Sequence, residues 1–330
     1  MAVMKDVAAR AHVSVTTVSH VLNKTRVVAP AISERVLAAA HALNYVPDPI
    51  ARGLRTRRTS LIALVIPDIS NPYFPEVARG AQDVADQHGY LAIVCNTDWQ
   101  GTRERRFLDI MRRQRVEGVI LNPAEVTAEE LQLFHRGGIP IVLVGEQITD
   151  PAFDQVAYDN MQATRDLLEY LYTRGHRRIA HLGGLRTTAS GRLRHAAYCA
   201  WLEEKGLPAC PEYVSEGPFT QEEGRQSMCR MLRTNPRPTA IFAANDLMAI
   251  GAITALRSSG VAVPRDIAVV GFDNIDQAAY VLPPLTTVSY PKYDMGKTAA
   301  EILLQRVRRG LPRTGKRHVV PHRLVIRESA

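Results

Sequence analysis

The sequence predicts a small all-α unit followed by an α/β body of two doubly wound, parallel-sheet lobes. Three observations carry this. The first sixty residues place their apolar side chains at helical spacing. From residue 61, short continuous apolar runs alternate with amphipathic stretches, as parallel strands covered on both faces by helices require. The series then restarts midway, giving two wound units of similar size and no short-period repeat.

The chain opens with "MKDVAARAHV", where Val7, Ala8 and Ala11 recur at helical spacing. A three-residue joint near "HVS" leads into "VSVTTVSHVLNKTR", residues 13–26. Its β-branched residues favour a strand, yet they do not alternate. At about 100° per residue, Val18, Val21 and Leu22 share one side and Thr16, Ser19 and His20 the other. Ser14 stands where an N-cap belongs, its hydroxyl able to accept from an orphaned backbone N–H. Two short helices with so tight a joint make a helix-turn-helix, whose second helix enters the major groove. A third helix follows in "PAISERVLAAAHALNY", with Pro30 in its first turn and a stripe of Ile32, Val36, Leu37, Ala40 and Leu43 to pack on the first two.

Charge points the same way. Residues 1–60 hold nine Lys/Arg against three acids, whereas the remaining 270 hold 32 bases and 30 acids. A basic head on a nearly neutral body is the electrostatic pattern of a nucleic-acid-binding module, with an ordinary solvated basic face as the alternative. Thr16 and His20, one turn apart, are placed for base edges; Thr17, Asn23 and Lys24 are better placed for phosphates. In "NYVPDPIARGLRTRRTS", residues 44–60, Asp48 and Pro49 form an N-cap and first-turn pair opening a short segment through Arg55. So short a helix, weakened by Gly53, is expected to form only on DNA beside a partner copy. Leu54 is then a candidate minor-groove wedge, or an ordinary linker contact.

In the body, strands are expected at "LIALVIP", "YLAIVCN", "VEGVILN" and "IPIVLVG", then at "RRIAHLGG", "YVSEG", "TAIFAAN" and "IAVVGFDN", each separated by an amphipathic helix. The helix in "DMGKTAAEILLQRVRRG" is expected to return to the first lobe. Open α/β sheets bind ligands beyond the carboxyl ends of their strands, which singles out the polar and aromatic residues there. They are Asp68, Asn71, Tyr73, Phe74, Asn122, Asp159, Asn160, Arg192, Phe219, Asn245, Asp246, Asp273 and Asn274. Aromatic faces with Arg, Asn and Asp suit a sugar, although Asn71 before Pro72 and Asp246 at a helix start also fit purely structural roles.

Other classes are poorly supported. The clustered glycines of "LGGLRTTASG" are not GxGxxG, and the chain has no Walker lysine or HExxH, so no catalytic residue is expected. His176 and His181 lack a carboxylate at a diagnostic spacing and read as core or surface histidines. Cys95, Cys199, Cys210 and Cys229 contain no CxxC pair, which argues against a metal knuckle and for a reducing cytosol. "MAVMKDVAAR" has no apolar signal-peptide core, and no run of about 18 apolar residues suits a membrane span. A cytoplasmic, nucleoid-associated protein with no metal and no cofactor is expected. A secreted sugar-binding protein would share the body but lack the basic head.

"MKDVAARAHVSVTTVSHVLNKTRVV" followed by "ALNYVPDPIARGLR" resembles the lactose/galactose repressor (LacI/GalR) family. The resemblance implies a homodimer on a near-palindromic operator in double-stranded DNA, with paired hinge helices opening a central minor-groove step. By position Thr16 and His20 match base contacts and Leu54 the intercalating leucine; Ser14, Thr17, Asn23, Lys24, Arg26, Tyr45, Arg52 and Arg55 complete the implied DNA-facing set. Pro49 departs from many members. The body's likeness is to the family's periplasmic-binding-protein-like fold, with a small-molecule effector between the lobes.

Matched residue by residue, Tyr73, Phe74, Arg192, Phe219, Asn245 and Asp273 fall on implied effector positions, and the strand-end residues Asn71 and Asn122 are added to that candidate set. Gly145-Glu146 replaces the Asp-Arg pair of ribose-type members and Tyr290 replaces a Gln, which argues against ribose itself. Asn245 favours a carbohydrate as the expected effector, while Arg186 and Thr188 line up with purine-contacting positions and keep a nucleobase or nucleoside as the alternative. The implied organisation is a headpiece over 1–47, a hinge over 48–59 and an effector-binding and dimerisation domain over 60–330. Within it, one lobe spans about 60–160 plus 291–319, the other about 161–290 plus 320–330.

Overall fold

A computed structural model describes residues 2–23, 26–45, 59–146, 148, 150–310 and 314–330. It divides into two compact units, Met1–Thr59 and Ser60–Ala330.

The first unit holds α1 (Met4–Ala11), α2 (Val15–Asn23) and α3 (Pro30–Ala42). Asp6 accepts the Val3 N–H at 2.8 Å to start α1, and His12 ends it in the left-handed region at φ 51°. Ser14 Oγ accepts the Thr17 N–H at 3.0 Å, the cap expected for α2. Val7, Ala8, Ala11, Val18, Val36, Ala39 and Ala40 form the core. Two expectations are corrected. Ser19 is buried, and its carbonyl and hydroxyl receive the Asn23 amide at 2.8 and 3.3 Å. Leu37 is 54% exposed while Ala39 is buried, because Leu37 lies about 100° round the helix from Val36 and only one of them can face α1.

The second unit is built on two six-stranded sheets. The first uses β1 (Leu61–Ile66), β2 (Leu91–Asn96), β3 (Gly118–Leu121), β4 (Ile141–Val144), β5 (Asp154–Tyr158) and β11 (Arg317–Val320), in the order β11-β5-β4-β3-β1-β2. The second uses β6 (Ile179–Gly184), β7 (Val214–Gly217), β8 (Ala240–Ala243), β9 (Ala268–Phe272), β10 (Thr286–Ser289) and β12 (Arg323–Val325), in the order β12-β10-β9-β8-β6-β7. Every pairing is parallel except β12 against β10. The chain therefore passes between the sheets three times, after Tyr158, Ser289 and Val320.

Helices α4 (Tyr73–Gln87), α5 (Gly101–Arg113), α6 (Ala128–Arg136) and α12 (Lys292–Arg309) cover the first sheet. Helices α7 (Asn160–Thr173), α8 (Ala189–Glu204), α9 (Gln221–Met231), α10 (Asp246–Ser258) and the short α11 (Gln277–Tyr280) belong to the second lobe. Leu61–Ile66 shows the near-continuous burial of a strand covered on both faces, whereas the edge strand β2 buries only Ala92 and Cys95. The C-terminus is sewn into the second lobe: Ser329 is fully buried and accepts the Thr286 N–H at 2.8 Å, while the Tyr170 hydroxyl donates to the Ala330 carbonyl at 2.7 Å. No described helix is long and apolar enough to cross a membrane.

Glycines set the crossing of α4 and α12. A Cβ on Gly296 would fall 1.8 Å from the Val77 carbonyl oxygen, and one on Gly80 2.0 Å from that of Tyr293. Gly296→Ala is expected to force the helices apart and lower stability by about 1–3 kcal/mol, measured as a fall in urea midpoint.

Candidate functional site

Between the lobes lies a cleft of about 580 Å³, open solvent at its mouth included. Its lining follows the strand ends: Asn71, Tyr73 and Phe74 after β1, Trp99 after β2, Asn122 and Pro123 after β3, Gly145 and Glu146 after β4. Tyr158 and Asn160 stand at the first crossing. The second lobe contributes Thr188, Ala189 and Ser190 after β6, Phe219 after β7, Asp273 after β9 and Arg194 from α8.

Aromatic rings make the walls. Tyr73 and Phe74 meet edge to face at 4.7 Å, Trp99 stacks on Phe219 at 5.8 Å, and Tyr158 stacks on Tyr290 at 3.9 Å. Arg194, 2% exposed, organises the polar floor. Its guanidinium donates to the Tyr158 hydroxyl at 2.7 Å, to Asn160 Oδ1 at 2.9 Å and to the Ala244 carbonyl. It lies 3.7 Å from the Asp273 carboxylate and over the Phe272 ring at 3.6 Å. The Tyr290 hydroxyl donates to Asp273 at 2.5 Å. The Asn160 amide donates to Glu146 at 2.7 Å, and Glu146 pairs with Arg317. Polar contacts thus run unbroken from β11 of one lobe to β9 of the other.

Burial raises the Asp273 carboxyl, with the Arg194 charge opposing. Behind it, burial and then the Asp273 carboxylate push Asp246 up to about 8, although Thr287 and the Ile275 N–H donate to it at 2.6 and 2.9 Å. An unfolded Asp titrates near 3.9, so over the interval between the folded chain holds a proton that the unfolded chain has released. This contribution to stability is therefore full below about pH 4 and lost as pH rises to about 8. Asp246→Asn is expected to flatten that decline, read as the urea midpoint at pH 5 to 8.

Seven of the residues singled out as effector contacts line the cleft: Asn71, Tyr73, Phe74, Asn122, Thr188, Phe219 and Asp273. Four do not. Arg192 is exposed and donates to the carbonyls of Arg186 and Thr187 at 3.4 Å; Arg186 pairs with Glu216 at 3.2 Å. Asn245 caps α10, accepting the Met248 N–H at 2.9 Å and holding the Phe219 carbonyl at 3.3 Å. Tyr290 lies behind Tyr158 and reaches the site through Asp273. The cleft's arginine is Arg194, not Arg192. Ser190 and Arg194 are four apart on α8 and share a face, while Arg192 points away, a spacing the sequence already contained. Trp99, Tyr158 and Ser190 were also missed, and Glu146 was noted only as a departure from ribose-type members.

In the head, Thr16 is exposed and His20 half-exposed on the outer side of α2, and Arg26 is exposed. The Thr17 hydroxyl is tied to Ser14 at 2.8 Å, and the Asn23 amide turns back to the Ser19 carbonyl at 2.8 Å. Tyr45 packs on the helical core. Lys24, Arg52, Leu54 and Arg55, with the whole hinge expectation, lie outside the described residues. Among the described residues no group of three His, Cys, Asp or Glu could hold a metal. His181 is a core residue, stacked on Phe242 at 4.5 Å and pulled down to about 3 by burial.

Residues 3–48 match the bacterial regulatory proteins of the lacI family, and residues 168–330 the periplasmic binding protein-like domain. The HTH-type transcriptional repressor PurR of Photobacterium profundum is 37% identical over 309 residues, covering 93% of this chain and 92% of that protein. The chain belongs to the LacI family. CytR of Escherichia coli (strain K12), also an HTH-type transcriptional repressor, is 34% identical over 310 residues, 93% of this chain and 90% of that one. Among solved structures, the lac repressor dimer bound to operator and the anti-inducer ONPF superposes with a TM-score of 0.87 at 28% identity, covering 99% and 98% of the two chains. A complex of the transcriptional regulator CelR with cellobiose gives 0.75 at 31% identity over both whole chains. This LacI-family chain is thus a helix-turn-helix transcriptional regulator with a periplasmic-binding-protein-like body.

Proposed function

We propose that this LacI-family chain is a cytoplasmic repressor that binds a near-palindromic operator as a homodimer, released or recruited by an uncharged small molecule, a sugar first, in the interlobe cleft. The observation that carries the reading is the buried Arg194–Asp273 pair set among aromatic walls drawn from both lobes. Aromatic faces take the apolar side of a sugar ring while charged groups bracket hydroxyls. Because the lining comes from both lobes, a bound molecule favours one interlobe angle, and ligand and operator alter each other's affinity by the same factor. The reading needs no cofactor and no chemistry on the ligand. A nucleobase or nucleoside is the second reading, favoured by Thr188 in the lining and by the relatives PurR and CytR. For the dimer, Tyr280 (82% exposed), Leu282 and the edge-strand residues Leu91 and Val94 offer apolar surface.

The test is anisotropy titration of short inverted-repeat duplexes against random duplex, with and without members of a sugar, nucleoside and nucleobase panel. Sequence preference that a panel member alters is expected. Affinity should fall steeply with salt, since each neutralised phosphate contributes about −0.9 to the log–log slope. Residues 60–330 alone should keep the ligand-induced thermal shift and lose DNA binding; equal affinity for all duplexes under every condition would refute the proposal.

A further inference from the structure

Trp99 is the aromatic wall that the first lobe contributes from the loop after β2. It stands in the loop after β2, where Asp98 and Trp99 both take left-handed φ, 52° and 58°, a conformation that side chains other than glycine rarely adopt. The loop is fastened on several sides. The Asn96 amide donates to Asp98 at 2.5 Å, Asn96 Oδ1 accepts the Ile69 N–H at 2.8 Å, and Arg103 pairs with Asp98. So held, the indole of the first lobe lies 29° from parallel to Phe219 of the second, at 5.8 Å, with Phe74 edge-on at 6.0 Å. It is a cross-cleft roof.

Beneath it the charges are matched: Asp273 with Arg194, Glu146 with Arg317. Three of the five Arg194 N–H donors are engaged by Tyr158, Asn160 and Ala244 and its charge is matched by Asp273, so among the described lining residues a phosphate would face two carboxylates with no cation outside an ion pair to meet it. We propose that Trp99 is the specificity-determining residue of the cleft, stacking on one flat ring and admitting a monosaccharide or a free nucleobase while rejecting disaccharides, nucleosides and phosphorylated sugars. This rests on the effector reading above and narrows it.

The experiment compares wild type, Trp99→Ala and Trp99→Phe by thermal shift and ligand titration. The probes are D-ribose, D-glucose, hypoxanthine, cellobiose, cytidine and glucose 6-phosphate. The wild-type-minus-Trp99→Phe emission spectrum isolates Trp99 from Trp201, the other tryptophan. A one-ring probe is expected to bind and shift that difference spectrum. Trp99→Ala should weaken it about tenfold and gain cellobiose or cytidine binding, with Trp99→Phe within about threefold of wild type. Tighter wild-type binding of cellobiose, cytidine or glucose 6-phosphate, or an unchanged preference in Trp99→Ala, overturns the inference and leaves effector control standing. If no probe moves either the melting temperature or operator affinity, both fall.

Discussion

Replacing Arg194 with alanine is expected to abolish the effector response and to lower the stability of the body by about 3–5 kcal/mol. The guanidinium is the shared partner of four buried oxygens: the Tyr158 hydroxyl, Asn160 Oδ1, the Ala244 carbonyl and the Asp273 carboxylate. Its removal strands them together, and the stranded carboxylate is the worst of them because burial already disfavours its charge. Arg194→Lys should rescue little, since an ammonium cannot reach three directions in one plane or lie flat on Phe272. Arg192→Ala is the control: exposed and bonded only to nearby carbonyls, it should change stability by no more than about 0.5 kcal/mol. Urea denaturation reads the stability, and operator titration with any ligand that shifts the wild-type melting temperature reads the response. A normal response in Arg194→Ala would show that the floor of the cleft has been misassigned.

Glu104→Ala should be nearly as damaging, although Glu104 touches no ligand position. Its carboxylate is 0% exposed and accepts three consecutive backbone amides, those of Ala124, Glu125 and Val126, at 2.8, 2.9 and 3.0 Å. Those amides form the loop that carries Asn122 and Pro123 from β3 into the cleft. Alanine would leave N–H groups without acceptors, at about 1–3 kcal/mol for each one that stays buried, so a loss of about 3 kcal/mol or more is expected. Glu104→Gln should fall between, since its carbonyl oxygen accepts but its amide opposes a donor. The same urea titration measures both, and a midpoint within error of wild type would remove the loop-anchoring role.

What the sequence made legible was what local physics decides. Ser14 before "VTTVSHVLN" has the chemistry of a cap ahead of a helix, and a six-residue apolar run such as Leu61–Ile66 has the length of a strand buried on both faces. Four strands went unanticipated, β5, β10, β11 and β12, which carry no such run and lie at the crossings between lobes. Thr286 and Thr287 are fully buried, yet Ser329, Arg327 and Asp246 satisfy them from forty or so residues away. The site divides likewise. Position after a strand end identified Tyr73, Phe74, Asn122, Phe219 and Asp273. It could not say that Asn245 would be turned inward to cap α10, or that Glu146 would be fastened to Arg317, which is 171 residues distant in the chain.

The places of β11 and β12 in their sheets also govern how the molecule is made. Each sheet takes one of its two edge strands from residues 317–325, and the buried Ser329 completes the second. A nascent chain emerging from the ribosome can collapse early but cannot finish either lobe until these residues leave the exit tunnel. Completion of the receptor therefore awaits residues 317–329, while the helical reader, whose core needs only residues 4–45, can be folded long before.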